Sequence, residues 1–135
     1  MQYIVHKRFK GKTICGDVNI PALSRCEEIN NWIYYQGKPV CAVTSACAHQ
    51  HFAINEDGNG MRRGKLTAAI QTALNNERDD EHRQELWERV WADERCQKYR
   101  RTEHTDHWLW NHDFYLAEID ELVYIASLVG AKEEK

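Results

Sequence analysis

At 135 residues, with 42% apolar and 29% charged side chains, the chain has the composition of one globular domain with its own core, which excludes a disordered tail or a disulfide-dependent miniprotein. Eighteen Lys and Arg against 21 Asp and Glu leave a net charge of −3, which works against indiscriminate nucleic-acid binding and suits a basic protein partner. No apolar run approaches the roughly 20 residues that cross a bilayer. Charges throughout residues 1–12 exclude a secretory apolar segment there, so a cytoplasmic protein in a reducing compartment is expected.

In chain order, residues 1–43 read as β-rich. Gln2 to Phe9 alternates, Lys12 to Cys15 and Asp17 to Ile20 are short segments, and Asn31 to Tyr35 and Pro39 to Val43 flank a turn at Gln36, Gly37 and Lys38. The pattern predicts a small antiparallel meander. Thr44 or Ser45 is a suitable N-cap for a helix reaching about Ile54. Asn55 to Gly60 is a loop. Met61 to Leu74 then reads as a helix with Leu66, Ala69, Ile70, Ala73 and Leu74 on its apolar face. The next helix opens at Asp79 and Asp80, where negative charge suits the helix dipole, and its stripe is Leu86, Trp87, Val90 and Trp91, with an extension to Tyr99. A last helix from about Ala117 aligns Ile119, Leu122, Val123, Ala126 and Val129 and stops at Gly130, ahead of a frayed tail. The expected architecture is α+β: one zinc-stabilised domain over 1–135, with a β-rich part at 1–43 and a helical part at 44–135.

The five cysteines, Cys15, Cys26, Cys41, Cys47 and Cys96, are thiols, thiolate ligands or core residues in a reducing compartment. Two sets could hold a structural zinc ion. In the first, Cys15, Cys26 and Cys41 stand at strand ends or turns, and His49 on the following helix completes a Cys3His tetrahedron; Cys47 could replace one ligand. The second lies in the segment from Cys96 to His112. There His104 and His107 are three apart and share a helix face, and Cys96 folds back to meet them. His112 joins only if the helix breaks, because eight helical residues separate it from His104 by about 12 Å. Neither set has a Cys-x-x-Cys knuckle, and buried thiols or a solvated His-rich helix start are the competing accounts.

Asn55, Asp57, Asn59 and Gly60 imitate the first half of a calcium loop. Leu66 stands where the bidentate glutamate belongs, and Arg63 takes the ninth position, so the loop reads as a structural turn. No HExxH, Gly-x-Ser-x-Gly or phosphate-binding glycine loop is present. His107, Asn111 and His112 are too close together for an HNH nuclease hairpin, and catalysis is not expected. Arg95, Lys98, Arg100 and Arg101 form one basic patch, and Arg62, Arg63 and Lys65 another; both read as solvated helix faces.

Cys15-Gly-Asp-Val-Asn-Ile-Pro21, Gly37-Lys-Pro-Val-Cys41, Asp57-Gly-Asn-Gly60 with Arg63-Gly-Lys-Leu66, and Cys96-Gln-Lys-Tyr with Glu103-His104 and Trp108-Leu-Trp-Asn-His-Asp113 span nearly the whole chain. Together they resemble small proteins of streptococcal phages and prophages, and among these a type II-A anti-CRISPR protein. The resemblance implies a metal-containing, non-catalytic inhibitor whose partner is the host's RNA-guided type II CRISPR effector nuclease, acting on target DNA loading or cleavage. A zinc-containing nucleic-acid-binding accessory protein of phage development is the rival reading, expected to bind through Arg95, Lys98, Arg100 and Arg101. A metal-dependent hydrolase ranks third.

Overall fold

The computed structural model describes residues 2–13, 16–76, 78–101 and 110–131. In chain order these form β1 (Gln2–Val5), β2 (Phe9–Thr13), β3 (Gly16–Ile20), β4 (Arg25–Ile29), β5 (Trp32–Tyr35), β6 (Lys38–Ala42), α1 (Ala46–His51), β7 (Phe52–Ile54), α2 (Gly60–Asn75), α3 (Asp80–Ala92), α4 (Glu94–Gln97), α5 (His112–Tyr115) and α6 (Ile119–Val129). The fold is α+β, with antiparallel sheet in the N-terminal half and helices in the C-terminal half.

The chain divides into two compact units, Met1–Gly64 and Lys65–Lys135, each with its own apolar core. Strand structure continues past residue 43, where the β-rich part was expected to end. The β-rich unit runs further because Phe52–Ile54 returns to pair with β1, placing Ile54, Ala53 and Phe52 opposite Tyr3, Ile4 and Val5. That pairing also ends α1 at His51, although the sequence suggests helix as far as Ile54.

In the first unit, five strands are ordered β6-β5-β4-β1-β7, and β2 and β3 form a separate hairpin. β4 is absent from the sequence-based expectation because Arg-Cys-Glu-Glu-Ile has a charged majority; only Cys26 faces the core. Two-residue turns connect β4 to β5 and β5 to β6. Their central residues, Asn30 and Asn31 and then Gln36 and Gly37, all have positive φ, as tight hairpin turns with the strand's own twist require. The pairing register puts Tyr3, Cys26, Ile33 and Cys41 on one face of the sheet, where they share a core with Phe9, Ile20, Ala48 and Phe52.

Over the other face, the first turn of α2 lies against β1, and two glycines make that approach possible. A β-carbon on Gly60 would stand 2.4 Å from Ile4 Cγ2, and one on Gly64 would stand 2.2 Å from His6 Cγ. The His6 ring packed on Gly64 has a buried Nε2 with no hydrogen-bond partner, while its other nitrogen donates to the carbonyl of His49. Burial is the main reason that the His6 pKa falls from 6.5 to about 4, assisted by the charges of His51 and Lys7.

In the second unit, Leu66, Ile70 and Leu74 of α2, Leu86, Trp87 and Val90 of α3, and Leu122, Ile125 and Val129 of α6 enclose one core. Ile119, Leu122, Ala126 and Val129 of the suggested α6 stripe are buried, while Val123 is 40% exposed and Ile125 is fully buried in its stead. α3 ends at Ala92 short of Tyr99, because Asp93 leaves the helix and its carboxylate caps α4 through the N–H of Arg95. Gly130 closes α6 in the left-handed conformation, as its position predicts.

Two outcomes test this packing. Gly64→Ala is expected to lower stability by about 1–3 kcal/mol in urea titration, the usual cost of forcing atoms into a filled site. Above pH 6.5 His6 is neutral in both folded and unfolded chains; between pH 6.5 and 4 only the unfolded chain takes up its proton. Stability should therefore fall across that window by up to about 3 kcal/mol and level off below it, a loss largely absent from His6→Gln.

Candidate functional site

The sheet register places Cys26 on β4 beside Tyr3, and Cys41 on β6 beside Ile33, both buried on the covered face. A turn then reverses the chain: Ser45 N–H donates to Ala42 O at 3.0 Å, Ser45 Oγ donates to the same oxygen at 2.7 Å, and Ser45 Oγ caps α1 by accepting from Ala48 N–H at 3.1 Å. The cap sets Cys47 on the first turn of α1, where it packs against the core that holds Cys26 and Cys41. Cys26 lies within electrostatic range of Cys41. Burial pushes the Cys26 thiol up to about 11 and Cys41 up to about 12, and raises Cys47, so all three are held as neutral thiols.

Of the first suggested zinc set, the structure puts Cys26 and Cys41 on the same face of the sheet, on strands separated by β5, with Cys47 packed against the same core. Cys15 lies outside the described residues. His49 is on α1, with its N–H bonded to Ser45 O and its carbonyl taken by His6. In the second set, Cys96 of α4 is wholly buried in the helical core, and its thiol is raised to about 12 by burial and by the charges of Asp93 and Glu121. His112 is the first residue of α5, which Asn111 caps, while His104 and His107 lie outside the described residues. Among the described residues, no three His, Cys, Asp or Glu side chains are arranged to hold a metal ion.

The loop that imitates a calcium site is filled by a side chain. Arg63, 3% exposed, donates to Ile54 O at 2.7 Å and forms a two-pronged pair with Asp57 at 2.8 and 3.3 Å. Asp57 Oδ1 also accepts from Asn59 N–H, and Asn55 Oδ1 from Gly60 N–H. The Arg63 hydrogen bond leads the causes that hold the Asp57 carboxyl down at about 2. The guanidinium occupies the place a cation would take and ties the strand β7 to the start of α2. Burial of Arg63 was invisible in the sequence, where it read as part of a solvated basic face.

In the other basic patch, Arg95 and Lys98 share one carboxylate within their own unit. Glu121 on α6 receives Lys98 Nζ at 2.5 Å, Tyr99 OH at 3.1 Å and Arg95 Nη2 at 3.2 Å. Lys98 is the largest influence lowering the Glu121 pKa. Arg95 also lies over the Tyr124 ring at 4.1 Å, and Arg100 over Trp91 at 5.9 Å.

What stands free is the open half of the first unit's sheet. Glu27, Ile29, Trp32 and Tyr34 share the face opposite the thiols, with Ile29 directly across from Trp32. Ile29 is 47% and Trp32 40% exposed. The alternation of β4 and β5 around the Asn30-Asn31 turn is the signal that turns these two outward. The charges are also unevenly divided. The first unit carries eight Lys and Arg against five Asp and Glu, and the second carries ten against sixteen. On α3 of the second unit, Glu81, Glu85 and Glu88 are exposed.

Arg63→Met is expected to destabilise the protein by about 1–3 kcal/mol, since it strands the Ile54 carbonyl and removes a charge-assisted pair. Calcium added to the wild-type protein should leave the melting temperature unchanged. No family model matches the chain, and no curated protein or solved structure matches it either.

Proposed function

We propose that the protein is a non-catalytic inhibitor that works by binding, and that its target is the RNA-guided effector nuclease of a type II CRISPR system. The observation that carries the binding reading is the Ile29–Trp32 pair, an aromatic and a branched apolar side chain presented side by side on a hairpin held by two tight turns. Rigid aromatic anchors of this kind are where protein interfaces concentrate their energy. The choice of target rests on the sequence resemblance. The excess of six acidic groups in the second unit supports it, since such nucleases hold their guide duplex in positively charged channels. The rival nucleic-acid-binding reading is less well supported, because Glu121 already pairs with Arg95 and Lys98.

A zinc ion belongs to this proposal as a structural element. Its ligands would come from one of the two sets named above, Cys15, Cys26, Cys41 and His49 or Cys96, His104, His107 and His112, each of which has members outside the described residues. A divalent cation would supply the charge that burial denies the thiolates, with no part in chemistry.

The decisive experiment is co-purification with purified type II effector nucleases together with a DNA-cleavage assay. The expected result is a stable complex, reduced cleavage and no turnover by the protein itself. Trp32→Ala with Ile29→Asp should weaken the complex at least about tenfold with little change in melting temperature. Absence of both complex and inhibition, or salt-sensitive binding to free DNA or RNA in their place, would refute the proposal. Stoichiometric zinc by elemental analysis, diminished in Cys41→Ser, tests the metal separately.

A further inference from the structure

The positive charge of the first unit is gathered on one hairpin. Lys7, Arg8, Lys10 and Lys12 are four of the unit's eight cations, and Asp17 is the one carboxylate among residues 7–20. In the rest of the unit four cations are matched by four carboxylates, so the whole positive excess belongs to this segment. We infer that the β2–β3 hairpin, with Lys7 and Arg8 at its base, is a binding surface for the phosphate backbone of a nucleic acid, engaged without base readout.

The strand register presents the cations. Phe9 and Ile20 stand opposite one another and are buried in the unit's core. The residues alternating with them therefore point away from it, Lys10 opposite Asn19 and Lys12 opposite Asp17. All four are exposed, as are Lys7 and Arg8. Among the described residues none of these four cations is held in an ion pair, unlike Arg63, Arg95 and Lys98. The backbone beneath them is fixed at both ends. His6 N–H and Lys7 N–H donate to His51 O at 2.9 and 3.5 Å, and Phe9 packs edge-on against His51 with ring centres 5.3 Å apart. At the far end Thr13 Oγ1 donates to Gly16 O at 3.0 Å. Lys10 and Lys12 are thereby held about 6.7 Å apart along the strand, a spacing comparable to that of neighbouring phosphates on a nucleic-acid strand.

The composition of the surface selects its partner. Its outward strand positions hold two Lys, an Asp and an Asn, with no aromatic or branched apolar side chain. Protein interfaces deplete Lys and draw their energy from such anchors, whereas phosphates are held by Lys and Arg with help from small polar side chains such as Asn19. The surface is separate from Ile29 and Trp32, which lie on the sheet face opposite the core that Phe9 and Ile20 join. The inference does not rest on the proposed nuclease target, and its test contains no nuclease, so the two fail separately.

Full-length protein would be titrated into a labelled mixed-sequence DNA duplex, and into single-stranded DNA and RNA of the same length, across a salt series. With four phosphate contacts, log affinity for the duplex should fall against log salt with a slope of about −3.6, a loss of about 10²-fold between 50 and 200 mM. Lys10→Gln combined with Lys12→Gln should halve that slope and leave the melting temperature unchanged, because both side chains stand in solvent. Arg25→Gln removes an exposed cation from the opposite face of the sheet and should keep the wild-type slope. The arm bound most tightly names the nucleic acid. The inference is overturned by absence of binding to every arm at low salt, or by a slope that the double variant leaves unchanged. It is equally overturned by tighter binding to phosphatidylserine–phosphatidylcholine vesicles, or by self-association that the double variant abolishes.

Discussion

The first unit depends on one strand being buried from three directions. β1 pairs with β4 on one side and with β7 on the other, and the first turn of α2 lies against it through Gly60 and Gly64. The β7 pairing joins residues about fifty positions apart, so its loop-closure cost is met only when the core beneath forms with it. Once β7 is in place, Ile54 O is presented to Arg63, and Asp57 completes the latch that fixes the start of α2. The side-chain positions on both sheet faces follow from this arrangement. One face gathers Cys26 and Cys41 into the core, and the other leaves Ile29 and Trp32 in solvent.

The second unit is organised around a charge. Glu121 accepts from Arg95, Lys98 and Tyr99, joining α6 to α4 and the turn after it. Beneath this network Trp87, Trp91, Trp110, Phe114 and Tyr99 pack edge-to-face and stacked, with Trp110 and Phe114 only 4.0 Å apart between ring centres. Part of a stretch that reads as a basic surface thereby also fastens α4 to α6.

The two units differ in kind as well as in charge. The β-rich unit has a net positive count and its exposed apolar pair; the helical unit has the acidic excess. A net charge of −3 for the whole chain conceals this division. The proposed inhibitor would use both kinds of surface, the apolar pair as anchor and the acidic helices for attraction to a basic channel. Cys26 and Cys41 sit on the far side of the same sheet as the anchor.

The sequence by itself determined whatever depends on local periodicity and local chemistry. The α+β order, the helices α2, α3 and α6, the Ser45 cap and the Gly130 stop were all legible, because each rests on residues within one or two turns of one another. Only the tertiary structure decided what depends on distant partners. β4 was hidden by its charges until Cys26 found Tyr3 across the sheet, and β7 looked helical until β1 paired with it. Arg63 looked solvated until Asp57 and Ile54 enclosed it. In each case the deciding energy is a contact between segments, and a contact of that kind leaves no trace in the spacing of residues along the chain.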